Sequence, residues 1–421
     1  MTAPGASHFA TWAIAAIAVS GVILRPWRVP EWTWALLGAC ALVAFGLLPW
    51  RDAATAVGSG LDVYLFLAGM MLLSELARRE GLFDYLAAHA VCLAAGSQSR
   101  LFLLVYAIGT AVTVFMSNDA TAVVLTPAVY AAARQARARP LPHLLACAFI
   151  ANAASFVLPI SNPANLVIFG RQMPALPQWL AMFALPSALA IVGTYATHRL
   201  LQRTALRGAI ATGIAIPALS RAGAMTGLGI VGVAIALLVA SFLGMPLGGP
   251  TLAVAACVAA IVLLGKREAP WPTLRGVHWG VLWLVAGLFV LVQGLQHTGV
   301  VERLAELLDA AAERSPVATA WGAGIGTALA SNLANNLPTG LVAGLAVEGA
   351  HAGTLVRSAI AIGVDLGPNL SVTGSLATIL WLVAIRREGE DVSAWTFLRL
   401  GAVVMPVALL LALASLFALP H

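Results

Sequence analysis

An apolar run spans 101–133, and a polar cluster, Ser117-Asn118-Asp119, interrupts it near the middle. Similar interruptions recur three times. Ser161-Asn162-Pro163-Ala164-Asn165 lies within 141–172, the cluster 331–338 within 317–349, and Asp365-Leu366-Gly367-Pro368-Asn369 within 353–386. A helix broken inside apolar sequence frees backbone N–H and C=O groups that lipid cannot satisfy. Such breaks persist only where protein covers them or a polar cavity adjoins them. Breaks at matching places in two halves of a chain point to a transport site near the bilayer midplane.

Composition sets the class. Of 421 residues, 61% are hydrophobic and only 10% are charged, with a mean hydropathy of +0.93. That excludes an ordinary soluble domain and indicates a polytopic membrane protein. The net charge of +6 comes from basic residues in short loops, which read as orientation signals rather than a nucleic-acid surface. No basic residue precedes the first apolar run and no small-residue cleavage site follows it, so a cleaved signal peptide is not expected. Cys40, Cys92, Cys147 and Cys257 show no metal or disulfide spacing and are expected to be small buried hydrophobes. His89, His143, His278, His297 and His351 form no metal-ligand motif. No Walker A sequence occurs, so the chain is not expected to be an ATP-hydrolysing enzyme.

Expected spans in the first half are 9–24, 32–48, 61–77, 141–172 and 178–198, with a weaker, interfacial piece at 84–96. In the second half they are 224–243, 250–264, 278–297, 353–386 and 395–419, with an amphipathic piece at 300–311. The arms on either side of Ser117-Asn118-Asp119 are near 15 residues each, and about 20 are needed to cross a bilayer. Each is therefore expected to be one limb of a hairpin that returns to its own side, as is the run at 317–349. Five spans and one hairpin per half turn the second half upside down. The expected fold is an all-α polytopic membrane protein with two inverted-topology repeats, broken helices and two re-entrant hairpins. Residues 1–198 form the N-terminal transmembrane repeat, 199–223 a cytoplasmic linker, and 224–421 the C-terminal inverted repeat.

Charge orients this topology. The central loop carries Arg199, Arg203, Arg207 and Arg221 and no acid. Placing it in the cytoplasm puts 18 of the 23 basic residues inside and leaves Arg51, Arg171, Arg303, Arg314 and Arg357 outside, as the positive-inside rule requires. Both termini are then outside. The first hairpin enters from the cytoplasm and the second from the other side. Trp27, Trp32, Trp34, Trp271, Trp279 and Trp395 fall near span ends, as interface anchors do.

The breaks supply the candidate site. Ser117, Asn118, Asn162, Asn165, Asn332, Asn335, Asn336, Asn369 and Thr373 offer donors and acceptors without charge, suited to a polar solute or to capping freed backbone groups. Pro159, Pro163, Pro338, Gly367 and Pro368 break the helices. Asp119 and Asp365 are acids in apolar sequence, costly to keep charged, and are the candidate proton carriers. They are expected at corresponding breaks in the two halves. Asn118, Asn165, Asn336 and Asn369 are expected around one central cavity. Ser371, Thr373 and Ser375 are expected along one side of their span. Glu75 is expected to pair with Arg78 and Arg79 at the interface, Glu348 to be wetted, and Asp62 to be an N-terminal cap or dipole partner of its own span.

The motifs resemble those of bacterial arsenite efflux permeases of the ArsB family, within the ion transporter superfamily, over nearly the full length. SNDATAVVLTP, residues 117–127, resembles the family's Asn-Asp-Gly-Ala-Ala hairpin segment. NLANNLPTGLVAG, residues 332–344, resembles its Asn-Asn-Met-Pro-Thr segment. DLGPNLSVTGSLATILWL, residues 365–382, is the most specific match. The resemblance implies that Asp119, Asn335, Asn336, Asp365, Gly367, Pro368 and Asn369 lie at or beside the site. It implies export of arsenite and antimonite in exchange for protons across the bacterial inner membrane, with no cofactor, driven by the proton gradient and membrane potential. Candidate partners are a soluble arsenite-stimulated ATPase, a second copy of the chain and membrane lipid, but no nucleic acid. The SNPAN segment also resembles the Asn-Pro-x-Asn turn of sodium-coupled and dicarboxylate relatives. A sodium/proton or sodium-coupled carboxylate transporter is thus the alternative, and a non-transport membrane receptor a further one.

The topology makes one prediction. Cysteines introduced into 199–221 and 244–249 should be labelled from opposite membrane faces by an impermeant maleimide. Labelling of both from one face would overturn it.

Overall fold

The computed structural model describes residues 4–418 apart from Gly213 and His351, and not the side chains of Pro4, Gly5, Arg28 and Arg171. His351 and the extreme termini, for which expectations were stated, lie outside the described residues. Among those described, there are helices and no strands.

The first half runs α1 (Pro4–Leu24), α2 (Glu31–Ala44), α3 (Trp50–Ser59), α4 (Leu61–Arg79), α5 (Leu82–Leu93), α6 (Gln98–Phe115), α7 (Asn118–Ala120), α8 (Thr126–Gln135), α9 (Pro140–Ala153), α10 (Pro163–Phe169) and α11 (Leu176–Leu201). A π-helical turn, Thr121–Leu125, joins α7 to α8. The second half runs α12 (Arg221–Phe242), α13 (Gly248–Lys266), α14 (Trp271–Gly276), α15 (Gly280–Gln296), α16 (Val300–Arg314), α17 (Pro316–Ala334), α18 (Asn336–Gly349), α19 (Thr354–Leu366), α20 (Leu376–Arg387) and α21 (Ala394–Leu416). Among the described residues, six single helices are long and apolar enough to cross a membrane, or up to eight spans if each bent helix pair counts as one. Serine hydroxyls start several helices by accepting a free N–H: Ser97 caps α6, Ser220 α12, Ser315 α17 and Ser393 α21.

The order of elements repeats. In each half two helices and a short one lead to a long helix followed by a second. A helical hairpin, a broken helix and a final long helix follow. Packing is reciprocal: α4 lies along α13, α15 along α2, and α11 against α21. Trp32 meets Gly280, Ala35 meets Gly287 and Leu42 meets Gly294, so α2 and α15 run parallel. Asp62 meets Gly248 and Leu252 meets Gly69, so α4 and α13 also run parallel. Glu75, near the end of α4, abuts Gly276, just before α15 begins. α4 and α15 hold equivalent places in the order of elements, yet run in opposite directions.

Both hairpins double back. Consecutive residues of the central loop pin the two ends of the first: Ile210 N–H donates to Gly96 O at 2.9 Å and Ala211 N–H to Ala136 O at 2.8 Å. The second hairpin packs both its arms on α16, which follows the end of α15 where His297 meets Asp52 at 3.4 Å. The leading arms are longer than expected: α6 has 18 residues and α17 has 19, whereas α18 has 14. The polar tips, not arm length, make these segments turn back.

The broken helices form the centre. α9 is buried continuously from Pro142 to Ala153, and α19 from Ser358 to Leu366. Helices apolar on every side belong in such a position.

Several expectations need correction. Cys147 is buried, but Cys92 is only partly so, and Cys40 and Cys257 are exposed. In an apolar exterior a cysteine needs no burial, because lipid is as apolar as a protein core. Asp62 lies in the first turn of α4, where it can act on the helix dipole as expected, but its side chain does not cap that helix. Its carboxylate accepts from Leu247 N–H at 3.3 Å and Gly248 N–H at 2.7 Å, closing the start of α13 instead. The amphipathic helix α3 and the short α14 were not foreseen, since each is too short or too polar to register as a span. Glu348 is exposed as expected.

Close packing of α17 on α19 depends on Gly363, where a Cβ would overlap the Gly324 carbonyl. Gly363→Ala should lower stability by about 1–3 kcal/mol, the usual cost of overpacking. Gly322→Ala, which meets nothing within 4 Å, should leave the thermal midpoint of the detergent-solubilised protein nearly unchanged.

Candidate functional site

Each break is closed by the residue types that caused it. At the first hairpin tip Ser117 Oγ accepts from Ala120 N–H at 3.2 Å, and Asn118 Oδ1 from Asp119 N–H at 3.0 Å. Thr113 and Thr121 hydroxyls meet across the hairpin at 2.8 Å. At the first broken helix Asn162 caps α10, its Oδ1 accepting from Ala164 N–H at 3.0 Å. Ser161 Oγ donates to Val114 O at 3.1 Å, tying this break to the first hairpin.

The second half does the same with different residues. Asn335 caps α18 with backbone angles φ 71°, ψ 151°, a region costly for any residue with a side chain. Its Nδ2 donates to Thr373 O at 3.3 Å. Asn332 Nδ2 donates to Gly367 O at 2.9 Å, and its Oδ1 accepts from Ser371 Oγ at 2.6 Å. Thr373 Oγ1 donates to Asn332 O at 3.2 Å. Hairpin two is therefore bound to the 367–375 segment. Ser371 and Thr373 turn toward it, while Ser375 turns the other way, so these three do not line one side. Pro159 and Gly367-Pro368 sit in 3-10 turns at the breaks, while Pro163 and Pro338 lie in the first turns of α10 and α18.

Two hydrogen-bonded clusters join the halves. In one, Asp365 Oδ1 accepts from Asn162 Nδ2 at 2.6 Å, and Asn165 Nδ2 donates to Ser155 O at 2.8 Å beside it. Asp365 Oδ2 and Asn165 Oδ1 are buried with no hydrogen-bond partner among the described residues. In the other, Asn152 Nδ2 donates to Asn369 Oδ1 at 3.0 Å and Thr378 Oγ1 at 3.2 Å. Ser375 Oγ donates to Asn152 Oδ1 at 3.2 Å, and Asn369 Nδ2 to Phe149 O at 3.1 Å.

These clusters identify a residue the sequence reading missed. Asn152 stands one position before the end of α9, as Asp365 does in α19. The counterpart of Asp365 is thus a neutral amide, not Asp119. Asp119 lies at a hairpin tip, whose counterpart is the Asn335-Asn336 tip. The two acids therefore do not occupy corresponding breaks. Asn152 was legible only as a polar residue inside an apolar helix, a signal strengthened by aligning the two broken helices.

The asparagines expected around one cavity are divided. Asn165 and Asn369 are fully buried, and Asn118 and Asn336 nearly so. A cavity of about 790 Å³ lies among Arg25, Glu31, Asp84, Arg387 and Glu388, on the face where the basic loop residues gather. A deeper one, about 60 Å³, is lined by Ser117, Asp119, Phe66 and Met70. Glu75, Arg78, Gly276 and His278 line both. Asn335 lines a separate small space with Leu337 and Leu376. Glu75 pairs with Arg78 as expected, through two bonds of 2.7 and 2.6 Å, but Arg79 turns instead to Glu268 at 3.6 Å, and the Glu75 carboxylate is buried.

Broken helices joined across two halves, hairpin tips and a cavity that leads inward to Ser117 and Asp119 among apolar side chains define a multi-pass membrane transporter. Residues 14–369 match the family model described as citrate transporter, CitMHS, and the chain belongs to this family and to the ArsB group of the ion transporter superfamily. It is 30% identical to the arsenical pump membrane protein of Escherichia coli K12, over 95% of this chain and 97% of that one. It is 29% identical to the arsenical pump membrane protein of Yersinia enterocolitica, covering 91% and 92%. An uncharacterized transporter of Mycobacterium tuberculosis is 28% identical, covering 93% and 94%. The solved YdaH transporter of Alcanivorax borkumensis shares the fold, with TM-score 0.59 at 14% identity over 88% of this chain and 87% of that one.

The two clusters should respond differently to substitution. Asn152→Ala strands buried partners in the neutral cluster and should cost roughly 1–3 kcal/mol of stability. Asp365→Asn keeps an acceptor for Asn162 and should be nearly neutral. Thermal midpoints of the purified variants check both.

Proposed function

We propose that this chain exports arsenite, and with it antimonite, in exchange for protons by alternating access. The carrying observation is the inner cavity. At about 60 Å³ it has room for about four water-sized groups, at ~15 Å³ each. Neutral trihydroxy-arsenic is of that size, whereas citrate is several times larger. Arg78, the one arginine among the described residues lining the cavity, is already paired with Glu75, so the pocket offers a carboxylate no unpaired guanidinium. The names of the arsenical pump relatives point the same way.

Ser117 offers the solute a hydroxyl, and backbone groups at the tip add further polar contacts. Such bonds are few and reversible, which release demands. A neutral solute cannot use the membrane potential, but a proton returning inward can. Asp119 lines the inner cavity and is the first candidate carrier. Asp365 is the second. A proton on its carboxyl would give the unpartnered Oδ2 a hydrogen bond to donate, lowering the cost of burying the group.

The opposed directions of α4 and α15 support inverted repeats at 1–198 and 224–421, with 199–223 between them. With the basic face in the cytoplasm, the large cavity opens inward and both termini lie outside, in the inner membrane. The ArsB resemblance supports a soluble arsenite-stimulated ATPase and a second copy of the chain as partners.

Everted vesicles should take up arsenite when a pH gradient or a voltage is imposed separately. Asp119→Asn and Asp365→Asn should weaken gradient-driven uptake at least tenfold while changing arsenite binding far less. Normal coupled uptake in both variants, at matched protein amount, would remove the proton-carrier assignment.

A further inference from the structure

Glu75 has no part in the exchange scheme above, yet it occupies the passage to the site. It and Arg78 line both the outer and the inner cavity, as do Gly276 and His278. The passage between solution and Asp119 is therefore flanked by an ion pair. The two partners differ in footing. The Glu75 side chain is 7% exposed, whereas that of Arg78 is 52% exposed. One is anchored in protein and the other projects into open space. Gly276 makes the anchorage possible, since a Cβ there would overlap the Glu75 carboxylate.

Arg78 also has somewhere else to go. Asp84 lies within electrostatic reach of it and lines the outer cavity but not the inner one. A guanidinium on a long flexible stem can exchange one carboxylate for another at small net cost, because charge pairing is kept.

We propose that Glu75, Arg78 and Gly276 form a gate on the basic face, and that Arg78 opens it by moving from Glu75 to Asp84. With Arg78 on Glu75 the neck is narrow and passes only compact solutes. With Arg78 on Asp84 the inner pocket joins the vestibule. The gate rests on reading the inner cavity as the solute pocket, but its test uses neither arsenite nor a proton gradient.

The test measures access to the inner pocket. Cys40, Cys92, Cys147 and Cys257 are replaced by serine, Ser117→Cys is introduced, and a small water-soluble methanethiosulfonate is applied to the basic face in vesicles. Removing the pair with Glu75→Ala and Arg78→Ala together should raise the labelling rate at least fivefold. Asp84→Asn, which takes away the open-state partner, should lower it severalfold. Gly276→Val should lower it about tenfold by driving the Glu75 carboxylate into the neck. Gly276→Ala should lower it less, and serves if the valine variant does not fold. Size-exclusion profiles establish folding for each. Equal rates in the folded variants, or no reaction in the pair-less one, would overturn the gate. Loss of the arsenite assignment in transport assays, with these labelling differences intact, would refute the substrate reading and leave the gate standing.

Discussion

A helix interrupted inside an apolar environment must find hydrogen-bond partners for the backbone groups it releases, and this requirement shapes the whole molecule. Each broken helix is closed by asparagine, serine or threonine from its own break, from a hairpin tip, or from the other half. Asn162, Ser375, Ser117 and Asn335 cap the helices that restart. Asn332 takes the freed carbonyl of Gly367. Leaving such groups unpaired would cost several kcal/mol each in lipid, so the surrounding scaffold must hold the partners in place. The reciprocal pairs α4–α13 and α15–α2 form that scaffold.

The same requirement separates structure from chemistry within one set of residue types. Asn152, Asn369, Ser375 and Thr378 bond mainly to one another and form a neutral tie between the halves. The equivalent tie in the other direction carries Asp365, and there two buried oxygens go unpartnered. Of two otherwise similar ties between the halves, one therefore centres on an amide and the other on a carboxyl. Asp119 is different again. It is half-buried and faces a cavity rather than a closed cluster.

The proposed choice of solute rests on the inner cavity. A family model described for citrate matches this chain, while many of its relatives bear an arsenical name. Fold does not choose between such substrates; the site does. A small pocket whose lining arginine is already paired suits a compact uncharged hydroxide better than an anion with several carboxylates.

Much was legible in the sequence because membrane insertion leaves few choices. Hydropathy alone gave the helical class and most of the spans, although Glu31–Ala44 and Pro140–Ala153 are shorter than a span and Gln98–Phe115, expected as a hairpin limb, is long enough to be one; the polar clusters marked the four breaks. Basic residues gather in alternate loops, and Arg25, Arg78 and Arg387, from three of them, line one cavity. The Glu75–Arg78 pair followed from helical spacing. Contacts across the halves were not legible, because they join residues over two hundred positions apart, as Asn162 to Asp365. Sequence could not tell that Asp62 caps a helix of the other half, that Asn152 rather than Asp119 answers Asp365, or that four asparagines divide between clusters and cavities. An amide in an apolar helix looks the same whether it closes a break, ties two halves or faces a solute. Only the tertiary structure fixes its neighbours, and the neighbours decide which of these it does.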